Sequence, residues 1–289
     1  MSDAEEGKPL AFPAGHFYSP IVDPLEATQQ AHRLWPDAAP VLPGIDFNDA
    51  YHERVLREWF PRFMPDYDYP EHEADAAHPF DFYTQNSQFS WLDARAMFVL
   101  LRAWVPRRVI EVGSGFSSLL MADVNRRFLD GKMHVTCIEP YPREFLKAGV
   151  PGISELVQSK VQDLPLSFFE NLEAGDILFI DSSHVVKTGS DVNFLFLDVL
   201  PRLKPGVRIH VHDVFLPLEY PRDWVIDMNR SWNEQYLLRA LLMHSSTFRV
   251  LFGCTYAFIK HLPLVIAGLA HPKGHGFAGG SLWIERANW

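Results

Sequence analysis

The run Arg108-Val109-Ile110-Glu111-Val112-Gly113-Ser114-Gly115-Phe116-Ser117-Ser118 constrains the fold of this chain more than any other segment. Its first residues, 108 to 112, read as a buried strand that ends on a carboxylate and a valine. Two alternate glycines then make a turn, and a helix follows over 117–128. Glycine permits a tight turn and lets a ligand approach bare backbone. The helix start behind the turn offers free N–H groups. Such a unit places a nucleotide-type site at the C-terminal end of a strand in an open α/β sheet. The plain alternative is a βα turn whose glycines serve geometry alone.

The rest of the chain repeats that rhythm. Strands are expected over 109–112, 134–139, 155–159, 177–181 and 207–212, with helices between them, one over 191–200. Alternation at this spacing means βαβ units and a mainly parallel sheet. Ser90-Trp91-Leu92-Asp93 reads as a capping box opening a helix to about 104, and Ser231-Trp232-Asn233-Glu234 as another, opening a helix to about 244. Strand-like runs at 248–252 and 282–286 come last, separated by a glycine-rich loop over 268–280, and read as an antiparallel pair. Residues 1–88 are rich in Pro, Asp, His and aromatic rings, with one helix from 46 or 48 to 60. They are expected to form an arm or cap, packed on the sheet or covering a substrate, with 89–289 as the main domain.

Bulk properties exclude several classes. The net charge of −10 disfavours nucleic-acid phosphates and anionic membranes. The chain shows no apolar run long enough to span a bilayer, and its acidic, polar start does not read as a secretory signal. Cys137 and Cys254 both lie in apolar, strand-like runs and are expected as buried thiols in a reducing cytoplasm. Oligomeric state, a homo-oligomer included, is left open.

Three strand ends carry chemistry. Glu139 follows the apolar run Val135-Thr136-Cys137-Ile138 and is placed to accept the hydroxyls of a bound ribose. The run Ile177-Leu178-Phe179-Ile180 delivers Asp181 and His184, and Val207-Arg208-Ile209-His210-Val211 delivers His212 and Asp213. Carboxylates and imidazoles converging there suit Mg²⁺, Mn²⁺, Fe²⁺ or Zn²⁺. Asp181, His212 and Asp213 are the expected ligands and His184 the expected base. Strand alternation turns His210 to the side of His212 but deeper, as a packed core residue. The bland alternatives are satisfied structural histidines, an Asp181 that orients a cofactor, and an Asp213 that caps a helix.

These residues carry a family resemblance. Glu111-Val112-Gly113-Ser114-Gly115-Phe116-Ser117 resembles the E/D-x-G-x-G-x-[GS] motif of class I S-adenosylmethionine (SAM) methyltransferases. Asp181-Ser182-Ser183-His184, then Asp191, then Leu203-Lys204-Pro205-Gly206, then His212-Asp213, resembles a group of small-molecule O-methyltransferases of antibiotic and sugar tailoring, and more distantly catechol O-methyltransferase. The resemblance implies a Rossmann-like seven-stranded sheet. It implies SAM at Glu111, Gly113, Gly115, Ser117 and Glu139; Ser114 and Asp181 are further expected cofactor contacts, and Asp163, after the third strand, is expected to meet the adenine amino group. In metal-dependent members it implies a divalent metal at Asp181 and at the pair matching His212-Asp213. Those members often carry two acidic or amide residues there, so His212 is a departure. The expected function is methyl transfer from SAM to a small-molecule acceptor. An NAD(P)-dependent oxidoreductase is the first rival. The dinucleotide fingerprint, however, wants a third glycine where Ser118 stands, and an acid about 20 residues on, whereas Glu139 lies 24 residues after Gly115. A non-catalytic SAM-fold binding protein is the second rival.

Overall fold

The computed structural model of this chain describes residues 11–89, 91–269 and 279–287. A seven-stranded sheet organises it, in the order β3-β2-β1-β4-β5-β7-β6. Its strands are β1 (Arg108–Val112), β2 (His134–Ile138), β3 (Glu155–Val157), β4 (Ile177–Ile180), β5 (Arg208–Val211), β6 (Phe248–Gly253) and β7 (Leu282–Arg286). The first five are parallel, and β7 runs antiparallel to both β5 and β6. This is the α/β architecture that the alternation and the resemblance implied. The central strands are buried on both faces, so they read as continuous apolar runs and not as alternating ones.

The helices used below are α1 (Pro24–Gln29), α2 (Asp49–Arg54), α3 (Trp91–Trp104), α4 (Phe116–Phe128), α5 (Asp191–Asn193), α6 (Arg222–Ile226), α7 (Glu234–Leu242), α8 (Cys254–Lys260) and α9 (Leu262–Gly268). On one face of the sheet, α3, α4 and α8 pack with Phe60, Tyr67, Tyr69, Phe82 and Phe89 of the N-terminal segment in one core. On the other face, Leu178, Ile180 and Val211 pack with Val192, Leu195, Leu238 and Leu242. Burying side chains such as Leu92, Phe98 and Leu100 of α3 stabilises the fold by about 1.5–3 kcal/mol each. These five N-terminal rings are therefore structural members of the core. His52 of α2 ties the segment down further, since its Nε2 accepts the Gly253 N–H at 2.8 Å.

Several boundaries differ from the sequence expectation, each for a local reason. The helix expected over 46–60 starts at Asp49, widens into a π-helical stretch at Val55–Trp59, and resumes at Phe60–Phe63. The helix expected over 191–200 is α5 followed by a π-helical stretch, Phe194–Val199. Ser231 does not cap α7, which begins at Glu234 with Asn233 before it. The Ser231 hydroxyl instead accepts the Val22 N–H from the N-terminal segment. Cys254 opens α8 instead of lying in a strand, and α8 and α9 occupy much of the span between β6 and β7. Most of the expected glycine-rich loop, and Ser90 of the first capping box, lie outside the described residues.

Candidate active site

The parallel register levels the carboxyl ends of four strands. Val112 pairs with Ile138 and with Ile180, and Ile180 pairs with Val211. The residues that follow, Gly113, Glu139, Asp181 and His212, therefore stand in one row. The ladder continues into them. The N–H groups of Gly113, Asp181 and His212 donate to the carbonyls of Ile138, Val112 and Ile180, each at 2.9 Å. The row borders a cavity of about 870 Å³ that straddles β1 and β4, where the strand order reverses. Open α/β sheets bind ligands at that place.

One end of the cavity is the glycine turn. Gly113 has φ +79°, and a Cβ there would stand 1.7 Å from the Asp181 carbonyl oxygen. Only glycine satisfies both constraints, so this residue joins the ends of β1 and β4. The Ser114 N–H donates to Glu139 Oε2 at 3.1 Å and the Tyr141 N–H to Oε1 at 2.9 Å. Glu139 is half-buried on the cavity wall, with its carboxylate held at the end of β2. Gly115 lies just past the lining, where a Cβ would meet only Gln88 Oε1, at 4.0 Å.

Three expected cofactor residues lie elsewhere. Glu111 is fully buried beneath the turn, where its carboxylate accepts hydrogen bonds from Ser117 Oγ at 2.6 Å, from Ser118 Oγ, and from Cys137 Sγ at 3.2 Å. Burial pushes the Glu111 carboxyl up to about 7, against the pull of those hydroxyls. Strand alternation turns it under the helix start, so Glu111 and Ser117 support the turn from below and do not line the cavity. Asp163 is exposed on a short turn and does not line it either.

The other end of the cavity gathers acids and imidazoles. One donor atom each from Asp181, His212 and Asp213 lie within 4.8 Å of one another. His184 Nε2 is 3.4 Å from Asp181 Oδ1 and 3.5 Å from Asp213 Oδ2, while Nδ1–H donates to Glu234 Oε2 at 2.9 Å. Burial opposes a charge on His184, yet Asp181 and Glu234 carry its pKa well above the ordinary imidazole range. Burial likewise opposes charge on His212, and Asp181 and Asp213 raise it. His184 and Asp213 both adopt left-handed backbone, at φ 61° and 54°. Such conformations cost non-glycine residues about 1–3 kcal/mol and persist where the surroundings over-determine them. Here the Asn233 and Glu234 N–H groups hold the His184 carbonyl, and the Val214 N–H holds that of Gly280. His210 is the core residue expected, stacked on Phe179 at 3.7 Å with Nε2 2.9 Å from Ser281 Oγ.

Two site acids escape sequence reasoning because they sit at cap positions. Asp93 does not serve its own helix; it accepts the Gly280 and Ser281 N–H groups at 3.1 and 2.8 Å and lines the cavity. Glu234 turns away from α7 to hold His184. The remaining wall is aromatic: Trp91, Phe215, Trp224 and Trp232, with Arg230. The density of tryptophans over 224–232 is the signal that could have marked it.

Fold and row together define a class I methyltransferase architecture. Residues 110–214 match a family model described as a methyltransferase domain. An uncharacterized protein of Archaeoglobus fulgidus is 38% identical over 177 residues, 59% of this chain and 77% of its own. The O-methyltransferase TomG of Streptomyces achromogenes, solved with SAM, shares 19% identity over 68% of this chain and 79% of its own, at a TM-score of 0.39. An O-methyltransferase of Bacillus cereus, in complex with SAH, shares 15% over 91% and 97%, at 0.40. The chain belongs to the class I SAM-dependent methyltransferases.

Proposed function

We propose that this protein moves the methyl group of SAM to an oxygen of a small acceptor held in the same cavity. The observation that carries the reading is that the glycine turn with Glu139 and the Asp181–His184–His212–Asp213 group line one cavity. SAM supplies a methyl group on a sulfonium and needs no further activation. The protein has to position a nucleophile and remove its proton. An uncharged amine attacks without losing a proton first, whereas a hydroxyl near neutral pH needs help, and this cavity concentrates that help beside the cofactor end.

In this reading Glu139 accepts the ribose hydroxyls, and Gly113, Ser114 and Gly115 leave room for the methionine end. Asp181 borders both halves. Asp181, His212 and Asp213 fit a divalent cation: their donors are close-set and of mixed oxygen and nitrogen type. A cation there would lower the pKa of an acceptor hydroxyl. The imidazole favours Fe²⁺, Mn²⁺ or Zn²⁺ over Mg²⁺. The neutral form of His184 takes the acceptor proton at Nε2 while Glu234 fixes the ring through Nδ1. Because burial is outweighed by Asp181 and Glu234, which raise the pKa of that ring, turnover is expected to rise as pH is taken above neutral. Residues 1–88 act as the cap over a 89–289 catalytic domain, a role supported by Asn86, Ser87 and Gln88 on the cavity wall. The two buried free thiols support a cytoplasmic setting. No helix of the described residues is long and apolar enough to cross a membrane.

The test is calorimetry of the full chain with SAM and S-adenosylhomocysteine (SAH), then transfer of labelled methyl to hydroxylated acceptors with and without chelator. Binding of both nucleosides is expected, with turnover lost on chelation and restored by added metal. Absence of SAH binding sinks the reading. Full turnover in metal-free protein removes the cation and leaves His184 as an ordinary base.

A further inference from the structure

The aromatic wall carries a charge that the site chemistry does not use. Arg230 Cζ lies 4.3 Å from the ring centroid of Trp224 and 4.6 Å from that of Trp232, in the corner of two indoles set edge to face. Its backbone is fixed by a 2.8 Å hydrogen bond from its N–H to the Trp224 carbonyl. The guanidinium lines the cavity that holds Asp181, His184 and Asp213, and also a second cavity of about 320 Å³ on the side of α1 and α6. Rings screen it from water and offer no oxygen to its N–H donors. Among the described residues the guanidinium has no hydrogen-bond acceptor and no carboxylate partner.

Charge accounting makes this pointed. The carboxylates that line the cavity all have donors. Asp93 takes two backbone N–H groups from Gly280 and Ser281, and Glu139 takes two from Ser114 and Tyr141. Asp181 and Asp213 face His184. The other lining arginine, Arg143, donates to Gln88 Oε1 at 2.7 Å. In a chain of net charge −10, an arginine stacked on two indoles yet paired with no acid is held for a partner from outside. A guanidinium presents a planar fork that matches the oxygens of a carboxylate or a phosphate. Partial burial strengthens that pairing relative to water.

We infer that Arg230 recognises an anionic group on the acceptor, so that the molecule methylated in this cavity is an acid: a carboxylate or a phosphate ester. The inference rests on the methyltransferase reading for the word acceptor, but the anion site itself does not. The acid is held against Trp224 and Trp232 while the reacting hydroxyl reaches the Asp181–His184–Asp213 end, and the second cavity leaves room for whatever lies beyond the acid.

The test uses the full chain, with and without SAH, and four small probes: benzoate, phenyl phosphate, neutral benzamide and cationic benzylamine. Affinities are read by ligand-observed NMR, and location by the indole N–H resonances of Trp224 and Trp232. At least one anion is expected to bind roughly tenfold tighter than benzamide or benzylamine and to shift both indole signals; this preference should vanish in Arg230→Met. Whichever anion binds tighter tells a carboxylate acceptor from a phosphate one. The inference is overturned if no anion binds at millimolar concentration, if benzamide or benzylamine binds as well as both anions, or if the indole signals stay put. An anion preference that survives in a folded Arg230→Met overturns it as well, and the wild-type comparison stands even if that variant fails to fold. Failure of SAH to bind would strike the methyltransferase reading and leave the anion result readable by itself.

Discussion

Glu139 and Glu111 show what one strand position does to a carboxylate. Glu139 stands one step past β2 and keeps its oxygens on the cavity wall. Glu139→Ala is expected to weaken SAM binding by about 1.5–3 kcal/mol, the scale of a hydrogen bond to a charged group, and to leave folding intact. Calorimetry checks it, and unchanged affinity would remove the ribose role. Glu111 lies inside β1 and points into the protein. Burial lifts its carboxyl from 4.5 to about 7, so the folded chain holds that proton more tightly than the unfolded chain does. The stability it contributes is full below pH 4.5 and is lost as pH rises through about 7. At ~1.4 kcal/mol per pH unit this amounts to roughly 3 kcal/mol. Glu111→Gln should flatten that slope in denaturation curves taken at about pH 5 and about pH 7.5, which span most of the window. An unchanged slope would show that Glu111 ionises elsewhere. Gly113 is stricter than either acid, because any Cβ meets the Asp181 carbonyl. Replacing it is expected to damage the β1–β4 junction and not only the cofactor space.

At the scale of elements, the most informative contact is that of α2 with the end of β6. His52 is buried, stacked on Phe252 at 4.9 Å, and accepts the Gly253 N–H. Burial lowers its pKa from 6.5 to about 4. The sign is opposite to that of Glu111: the contribution is present above pH 6.5 and is lost as pH falls through about 4. Hydrogen exchange over 49–63 should therefore speed up between pH 6.5 and 4.5 relative to a His52→Gln variant, which keeps an acceptor without titrating. Equal acceleration in both proteins would mean that His52 does not govern the attachment of this segment. A separate contact ties the segment to the helices of the sheet: Tyr69 donates its hydroxyl to Asp123 of α4 at 2.7 Å.

For the whole molecule, the cavity is bordered by strand ends, by the N-terminal segment and by residues before α7, so a ligand there bridges parts distant in sequence. SAH bound at a hundredfold excess over its Kd should stabilise the fold by about 2.7 kcal/mol, through binding to the native state alone. In a chain of this size that is a rise of roughly 4–5 °C in Tm. Thermal unfolding with and without SAH measures it. No shift at saturating SAH would contradict a cofactor site built from the native fold.

Residue pattern alone lays out the sheet and the row of residues along its edge. The strand at 177–180 is an apolar run that stops at Asp181, those at 134–138 and 208–211 are largely buried and stop at Glu139 and His212, and a run that must be buried on both faces can only be central. Once the strands are parallel and in register, the residues that end them meet without further instruction. Long-range packing sets which way the other acids turn. Asp93 and Glu234 read as helix-cap residues because local pattern sees neighbours in the chain, and both instead satisfy groups brought from far away: the amides at 280–281 and the ring of His184. Glu111 carries the motif's acid, but strand alternation aims it at Ser117, Ser118 and Cys137. The wall of Trp224, Arg230 and Trp232 has no periodic signature, and its meeting with the row of strand-end residues exists only because packing closes the cavity from that side.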